Sequence, residues 1–196
     1  MIMSQESPDP SQAKDYASIV HGHQQYNAEV PYVRHLEAVV AVLARFGFTD
    51  QVMICAALLH DSIEDTDTSY SDIKSRFGTA VAELVYSVTS ELGRNRKERN
   101  LKTYGKMKGR FLPTALKLAD RIANVEYGSA TGGKTDMYRS EYPGFYMGLF
   151  HDPEFEGPWQ ISTGTDISPA LDDNRVSRMW TYLNLLLGDP LAPAAV

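Results

Sequence analysis

An apolar segment runs directly into a cluster of charge in "ICAALLHDSIED", residues 54–65. The six positions after the apolar run hold one histidine and three carboxylates, and Glu64 follows Asp61 by about one helical turn. Burying carboxylates against an apolar helix costs free energy unless a cation or several hydrogen-bond donors offset their charge. A divalent metal ion meets that need, so the segment predicts a helical fold that is built around a metal site.

Two further candidate ligands lie on other predicted helices. His35 precedes an apolar run in "YVRHLEAVV", and Asp120 ends the apolar stretch "ALKLAD". His35 alone is typical of a satisfied core histidine, and Asp120 alone is typical of a surface carboxylate paired with Lys117 or Arg121. Together with the charged cluster, however, they supply a mixed set of nitrogen and oxygen ligands from three helices, which suits Mn²⁺, Fe²⁺ or Zn²⁺.

Apolar residues recur at helical spacing along most of the chain. Ser11 is a plausible cap for the first helix, and Pro31 breaks the pattern before the second. Gly47 ends that second helix, and two later helices are expected to meet near Gly78. A further helix is predicted from about Pro113.

The fold class that follows is all-α, a compact helical bundle, because no segment alternates as a strand does and no internal repeat occurs. Residues 1–10 are polar and rich in Pro and Ser, which predicts a flexible tail before a single domain over 11–196. Residues 151–173 are expected to be irregular, ahead of a C-terminal helix in "RVSRMWTYLNLLL". The aromatic stretch "MYRSEYPGFYMGLF" reads as helical, although Pro143 weakens that prediction.

The charge and composition of the chain indicate which classes of molecule it is expected to bind. The net charge of −6 gives the chain no general attraction to nucleic acid or anionic lipid, which favours small-molecule chemistry. We expect a cytoplasmic protein, because neither a signal peptide nor a membrane span of ~20 apolar residues is visible. The basic stretch "GRNRKERN" is interpreted as a solvated helix face or loop, or as a mouth that attracts polyphosphate. Cys55, the single cysteine, is interpreted as a buried packing residue.

The order of the candidate ligands resembles the H…HD…D signature of HD-superfamily metal-dependent phosphohydrolases. More narrowly, "AALLHDSIEDTDTSYSDIKSRFGTAVAELVYSVT" and "LKLADRIAN" resemble the hydrolase domain of RelA/SpoT homologues and the single-domain small alarmone hydrolases. The resemblance runs from roughly Tyr16 to Tyr142. It implies an HD-domain bundle and an Mn²⁺-dependent (p)ppGpp 3′-pyrophosphohydrolase, with another divalent metal as an alternative cofactor. A chain this short is expected to lack a synthetase domain, so the implied role is removal of alarmone, including as an antitoxin in a toxin–antitoxin pair.

The resemblance also implies roles for individual residues. Glu64 and Asp65 match the acidic pair that orients or activates the attacking water. Asn124 matches an asparagine that contacts the ribose or phosphate of the nucleotide, and Tyr142 resembles a tyrosine that packs near the substrate. The implied metal ligands are His35, His60, Asp61 and Asp120.

The sequence departs from the family pattern where a basic pair usually holds the guanosine. Tyr26 and Asn27 occupy those positions, so Tyr26 is predicted to stack on a base, while two positive charges are missing unless Lys102, Lys106 or Lys108 compensates. This departure favours the alternative of an HD phosphohydrolase for another nucleotide, such as a dNTP, NADPH or a modified alarmone. A non-catalytic module that keeps the metal for stability is a further alternative, although a structural site needs no extra buried acids. Whether the chain forms a homo-oligomer is open.

Overall fold

The computed structural model of this chain describes residues 7–27, 29–151 and 173–188. These residues form helices together with one antiparallel pair of very short strands, β1 (Gln25–Asn27) and β2 (Val30–Pro31). The predicted all-α class is confirmed. The strand pair was not predicted, because strands of three and two residues are too short to show alternation. The helices are α1 (Pro10–His21), α2 (Val33–Arg45), α3 (Gln51–Leu59), α4 (Ser62–Asp65), α5 (Tyr70–Phe77), α6 (Thr79–Val88), α7 (Arg96–Met107), α8 (Phe111–Thr131), α9 (Thr135–Leu149) and α10 (Arg175–Leu187).

Helix α3 forms the centre of the bundle, because it packs against α1, α2, α6 and α8. Six of its nine side chains are buried, and the small residues Cys55, Ala56 and Ala57 let neighbouring helices approach it from several sides. Burial raises the pKa of the Cys55 thiol to about 12, in keeping with its interpretation as a packing residue. The helix ends at Leu59, so the polar residues that follow it start inside the protein.

Local signals explain where several helices begin and end. The Asp50 carboxylate accepts a hydrogen bond from the Met53 backbone N–H at 2.8 Å and caps α3. Gly78 separates α5 from α6 with a φ of 88°, so the predicted junction is confirmed. The predicted cap at Ser11 is wrong: Asp9 accepts from the backbone N–H of Ser11, and the helix begins at Pro10.

Helices α7, α9 and α10 complete the bundle around α8. Helix α9 continues through Pro143, and Gly148 lets it lie directly against the Tyr104 ring of α7. Trp180 of α10 packs on Phe145, with ring centroids 5.4 Å apart. The predicted irregular segment lies largely outside the described residues, as does most of the predicted N-terminal tail. In the part of the chain that the structure describes, no helix combines the length and the apolar character needed to cross a bilayer.

Candidate metal centre and adjoining pocket

Three helical elements bring together two of the histidines and one aspartate that the sequence singles out. His35 lies in the first turn of α2, His60 directly follows α3, and Asp120 lies in the middle of α8. One ligand atom from each lies within 4.8 Å of the others. Nε2 of His35 is 3.3 Å and Nε2 of His60 is 3.8 Å from Oδ1 of Asp120. Both histidines are buried, so their side chains lie inside the bundle.

Asp61 joins this group from the end of α3. Its Oδ2 atom lies 3.0 Å from Nε2 of His60 and 3.7 Å from Nε2 of His35. The structure thus places all four predicted ligands around one point. We call His35, His60, Asp61 and Asp120 the ligand cluster.

The hydrogen bonds of His60 test whether the ligand cluster fits a cation. Nδ1 of His60 lies 2.8 Å from the Ala57 carbonyl oxygen, which assigns the ring proton to Nδ1. Nε2 then presents its lone pair to two carboxylates, and this buried atom has no hydrogen-bond partner among the described residues. A lone pair facing anionic oxygens in a buried site is unfavourable, whereas the same atoms around a divalent cation are all ligands. The donor set therefore fits such a cation.

The charges in the ligand cluster produce a strongly negative local field. Burial by itself would lower the pKa of His60, but Asp61 and Asp120 outweigh burial and raise that pKa to about 10. Burial by itself would raise the pKa of Asp120, but Lys117, His35 and His60 hold it well below its usual range. A site that attracts a proton this strongly also attracts a metal ion, since both bind the same lone pairs.

Asp120 is held by two neighbours on its own helix. Asn124, one turn later, donates to the Asp120 side chain at 2.6 Å and to its backbone carbonyl at 2.9 Å. Lys117, one turn earlier, donates to Oδ2 at 2.9 Å. Asp120 therefore belongs to the ligand cluster and also forms an ion pair with Lys117. The sequence had offered these as alternatives, a metal ligand or a carboxylate paired with a neighbouring cation, and the structure shows both contacts together.

Tyr32 is a site residue that the sequence interpretation missed. Its hydroxyl donates to Oδ2 of Asp61 at 2.5 Å and lies 3.4 Å from Oδ2 of Asp65. The His21 ring stacks on it with a centroid distance of 4.7 Å. Burial is the main cause that raises the pKa of Tyr32, and the negative charge of Asp61 raises it further. The hydroxyl therefore stays protonated and donates. Its position one turn before His35 is a signal that could have identified it, since residues three apart share a helix face.

Glu64 and Asp65 lie on α4, the single turn that follows Asp61. The Glu64 carboxylate accepts a hydrogen bond from the Ser90 backbone N–H at 3.0 Å, and the Asp65 carbonyl accepts one from Gln24 at 2.7 Å. Burial, together with the charges of Asp61 and Glu64, raises the pKa of Asp65. Both acids therefore lie on the exposed turn that follows Asp61, and Asp65, which Tyr32 approaches, has an increased affinity for a proton.

A cavity of about 320 Å³ adjoins the ligand cluster and is called the tyrosine pocket here. The Tyr26 ring stacks on His35 with a centroid distance of 4.8 Å and an interplanar angle of 11°. Its hydroxyl donates to Asn124 at 2.7 Å. Tyr26 and Asn124 therefore form the wall between the tyrosine pocket and the ligand cluster. The pocket is lined by Tyr26, Asn27, Asn124, Tyr127, Gly128, Thr131, Gly133, Lys134 and Tyr138.

The structure does not bring Tyr142 to the tyrosine pocket. Its side chain is 1% exposed and packs against Trp180 in the core. Tyr138, one helical turn earlier, lines the pocket instead. Lys106 does not supply the missing charge, because its Nζ atom donates to the carbonyls of residues 86 and 89 and to the side chain of Glu91. Lys134, in the turn between α8 and α9, is the lysine that lines the pocket.

Comparisons with known proteins give a consistent result. The sequence model of the HD domain family matches residues 13–146. A guanosine-3′,5′-bis(diphosphate) 3′-pyrophosphohydrolase from Aquifex aeolicus is 40% identical over 130 residues, which cover 62% of this chain and 18% of that protein. The enzyme of the same name, MESH1, from Drosophila melanogaster is 36% identical over 114 residues, which cover 56% of this chain and 64% of that protein. The chain thus spans less than two thirds of each of these relatives.

Solved structures show the same architecture. One, described as a metazoan ortholog of SpoT that hydrolyzes ppGpp, superimposes with a TM-score of 0.68 and 25% identity, covering 95% of this chain and 99% of that one. A Listeria monocytogenes protein superimposes with a TM-score of 0.56 at 22% identity, covering 84% of this chain and 99% of that one. The second likeness concerns the fold alone.

Proposed function

Because the chain belongs to the HD domain family, we propose that it is a metal-dependent (p)ppGpp hydrolase that releases pyrophosphate from the 3′ position. The observation that carries the proposal is the ligand cluster, which lies beside a pocket with an aromatic wall. The names of the relatives from Aquifex and Drosophila support the same substrate. In this role the protein would remove alarmone from the cytoplasm, including as the neutralising half of a toxin–antitoxin pair.

In the proposed reaction the ligand cluster would hold one divalent cation through two imidazole nitrogens and two carboxylates. We propose Mn²⁺ because the family resemblance implies it, while the donor set also suits Fe²⁺ or Zn²⁺. The bound cation would supply Lewis acidity and lower the pKa of a water molecule. Glu64 or Asp65 then accepts or holds the proton of the attacking water, and burial raises the pKa of Asp65, which increases its affinity for that proton. The Tyr32 hydroxyl, which donates to Asp61, lies 3.4 Å from the Asp65 carboxylate, and the Ser90 backbone N–H donates to the Glu64 carboxylate.

The tyrosine pocket supports a nucleoside as the neighbouring part of the substrate. Its aromatic walls are Tyr26, Tyr127 and Tyr138, and aromatic rings stack on any base. Lys134 adds one positive charge for the phosphates. Asn124 connects the pocket to the ligand cluster, because it bonds to Tyr26 and to Asp120 at once. The reacting phosphoryl group would then lie between the pocket and the candidate acids.

A direct assay tests this proposal. The purified protein is incubated with Mn²⁺ and ppGpp, pppGpp, NADPH or a dNTP panel, and the products are resolved by chromatography. We expect ppGpp to yield GDP and pyrophosphate, and we expect the reaction to stop in His60→Ala. A Lys14→Met control, which removes a charge from a surface ion pair on α1, should retain full activity. Intact ppGpp after incubation with a metal-loaded protein would contradict the proposal.

A second candidate function is hydrolysis of another nucleotide, such as a dNTP, NADPH or a modified alarmone. The observation in its favour is that Tyr26 and Asn27 line the tyrosine pocket where a basic pair is expected. Losing charge-assisted phosphate contacts costs about 1.5–3 kcal/mol each. Consumption of one of these nucleotides while ppGpp stays intact would select this candidate.

A further inference from the structure

Lys117 is a largely enclosed cation with unused hydrogen-bonding capacity. It lies on α8 one turn before Asp120, and its side chain is 18% exposed. A lysine ammonium group carries three N–H donors. In the residues that the structure describes, Nζ of Lys117 makes one hydrogen bond, to Oδ2 of Asp120 at 2.9 Å. Two donors therefore remain for another partner.

The surroundings of Lys117 are strongly acidic. Asp61, Glu64, Asp65 and Asp120 all lie at the ligand cluster or on the turn beside it. Asp61 and Glu64 also attract the Lys117 ammonium group electrostatically. Among the Lys and Arg side chains of the described ranges, only Lys117 forms a hydrogen bond or ion pair with any of these four carboxylates.

This charge distribution creates a problem for an anionic substrate. Four carboxylates outweigh one divalent cation, so a phosphate group that approaches the site is repelled unless a further positive charge lies close by. Lys117 supplies that charge from its position beside Asp120, inside the same acidic site. Fixed donors that face developing negative charge are also among the strongest contributors to catalysis.

We infer that Lys117 is a catalytic residue whose two free N–H donors bind the phosphoryl oxygens of the substrate, an inference that rests on the proposed function. In the reaction the water oxygen forms a bond to the phosphorus atom that is attached to the 3′ oxygen. The bond between that phosphorus and the 3′ oxygen breaks, and its electron pair stays with the 3′ oxygen. The proton from water passes to the acidic pair and then to the 3′ oxygen, which leaves GDP and pyrophosphate. Lys117 would hold the charge on the phosphoryl oxygens throughout.

The competing explanation is that Lys117 only positions Asp120. The two roles predict different effects when Lys117 is replaced. If Lys117 only positions Asp120, its removal weakens metal binding, because Asp120 loses one of its hydrogen-bond donors. If Lys117 contacts the substrate, its removal lowers turnover and weakens anion binding while metal occupancy stays unchanged.

The test compares Lys117→Met and Lys117→Arg with the Lys14→Met control, which loses the same charge at a surface pair with Glu37. Elemental analysis and Mn²⁺ titration measure metal binding, and steady-state assays measure kcat and KM. We expect Lys117→Met to keep its metal while kcat/KM falls on the order of 10²-fold. Lys117→Arg should recover part of that loss, since guanidinium also donates to phosphate. A loss of metal that parallels the loss of activity would overturn the inference.

A second measurement separates this inference from the proposed function. Inorganic phosphate is titrated calorimetrically into Mn²⁺-loaded wild type and each variant, which needs no turnover. We expect Lys117→Met to bind phosphate at least ~10-fold more weakly, and Lys14→Met to match the wild type. If the wild type leaves ppGpp intact, the proposed function fails, and the phosphate titration still decides the role of Lys117. Equal phosphate affinity in the wild type and Lys117→Met would show that the inference is wrong.

Discussion

Replacing Tyr32 by phenylalanine should weaken metal binding without unfolding the protein. The change removes one hydroxyl that donates to Oδ2 of Asp61 at 2.5 Å and lies 3.4 Å from Asp65. A hydrogen bond to a charged group contributes about 1.5–3 kcal/mol, and partners that orient metal ligands are typically worth 10–100-fold in affinity or activity. Because the ring and its stacking on His21 remain, the packing should be preserved.

The assay is an Mn²⁺ titration followed by the electron paramagnetic resonance signal of the free ion. We expect the dissociation constant of Tyr32→Phe to rise on the order of 10-fold, at a thermal unfolding midpoint close to that of the wild type. Tyr70→Phe is a matched control, because the Tyr70 hydroxyl donates to the Glu83 carboxylate at 2.6 Å on α6, outside the ligand cluster. An Mn²⁺ affinity that is the same in both variants would refute the role assigned to Tyr32.

Four further outcomes are expected. His60→Ala should remove the metal, and full occupancy by elemental analysis would exclude the site. Glu64→Gln and Asp65→Asn should keep fold and metal but slow turnover by about 100-fold or more, and wild-type rates in both would contradict their proposed role. Tyr26→Ala should raise the KM for the nucleotide, because it removes the wall of the tyrosine pocket, and an unchanged KM would place the base elsewhere. Gly148→Ala should destabilise the protein by about 1–3 kcal/mol in chemical denaturation, because the added Cβ would lie 2.7 Å from an atom of the Tyr104 ring. An unchanged free energy of unfolding would mean that helices α7 and α9 can move apart at little cost.

The ligand cluster could be predicted from the sequence because each member is marked by its local surroundings. His60 and Asp61 follow an apolar helix, and His35 and Asp120 interrupt apolar stripes. Burying such residues is unfavourable unless they share a partner such as a metal ion. The sequence therefore predicts that the helices pack with these four side chains close together. The junction near Gly78 could be predicted as well, because glycine commonly interrupts a helical pattern.

The surroundings of the ligand cluster could not be predicted in the same way, because they depend on contacts between distant parts of the chain. Tyr26 reaches Asn124 across 98 positions of sequence, and Tyr32 reaches Asp61 across 29. Tyr138 and Tyr142 both lie on α9, yet Tyr138 lines the tyrosine pocket while Tyr142 packs against Trp180 from the distant helix α10. Local patterns carry no information on such choices.

The metal ligands lie on or next to core helices, whereas several pocket residues lie on a short strand or in a turn. This difference affects how easily the substrate specificity can change. His60 follows α3, which packs against four other helices, so a shift of its backbone would disturb several contacts in the core. Tyr26 and Asn27 come from a strand of three residues, and Lys134 lies in the turn between α8 and α9. Substitutions in a short strand or a turn change the pocket at little cost to the core. The proposed metal chemistry therefore depends on the core of the fold. The choice of nucleotide depends instead on pocket residues that can be substituted without disturbing that core. The assay with the nucleotide panel is for this reason the decisive measurement for this chain.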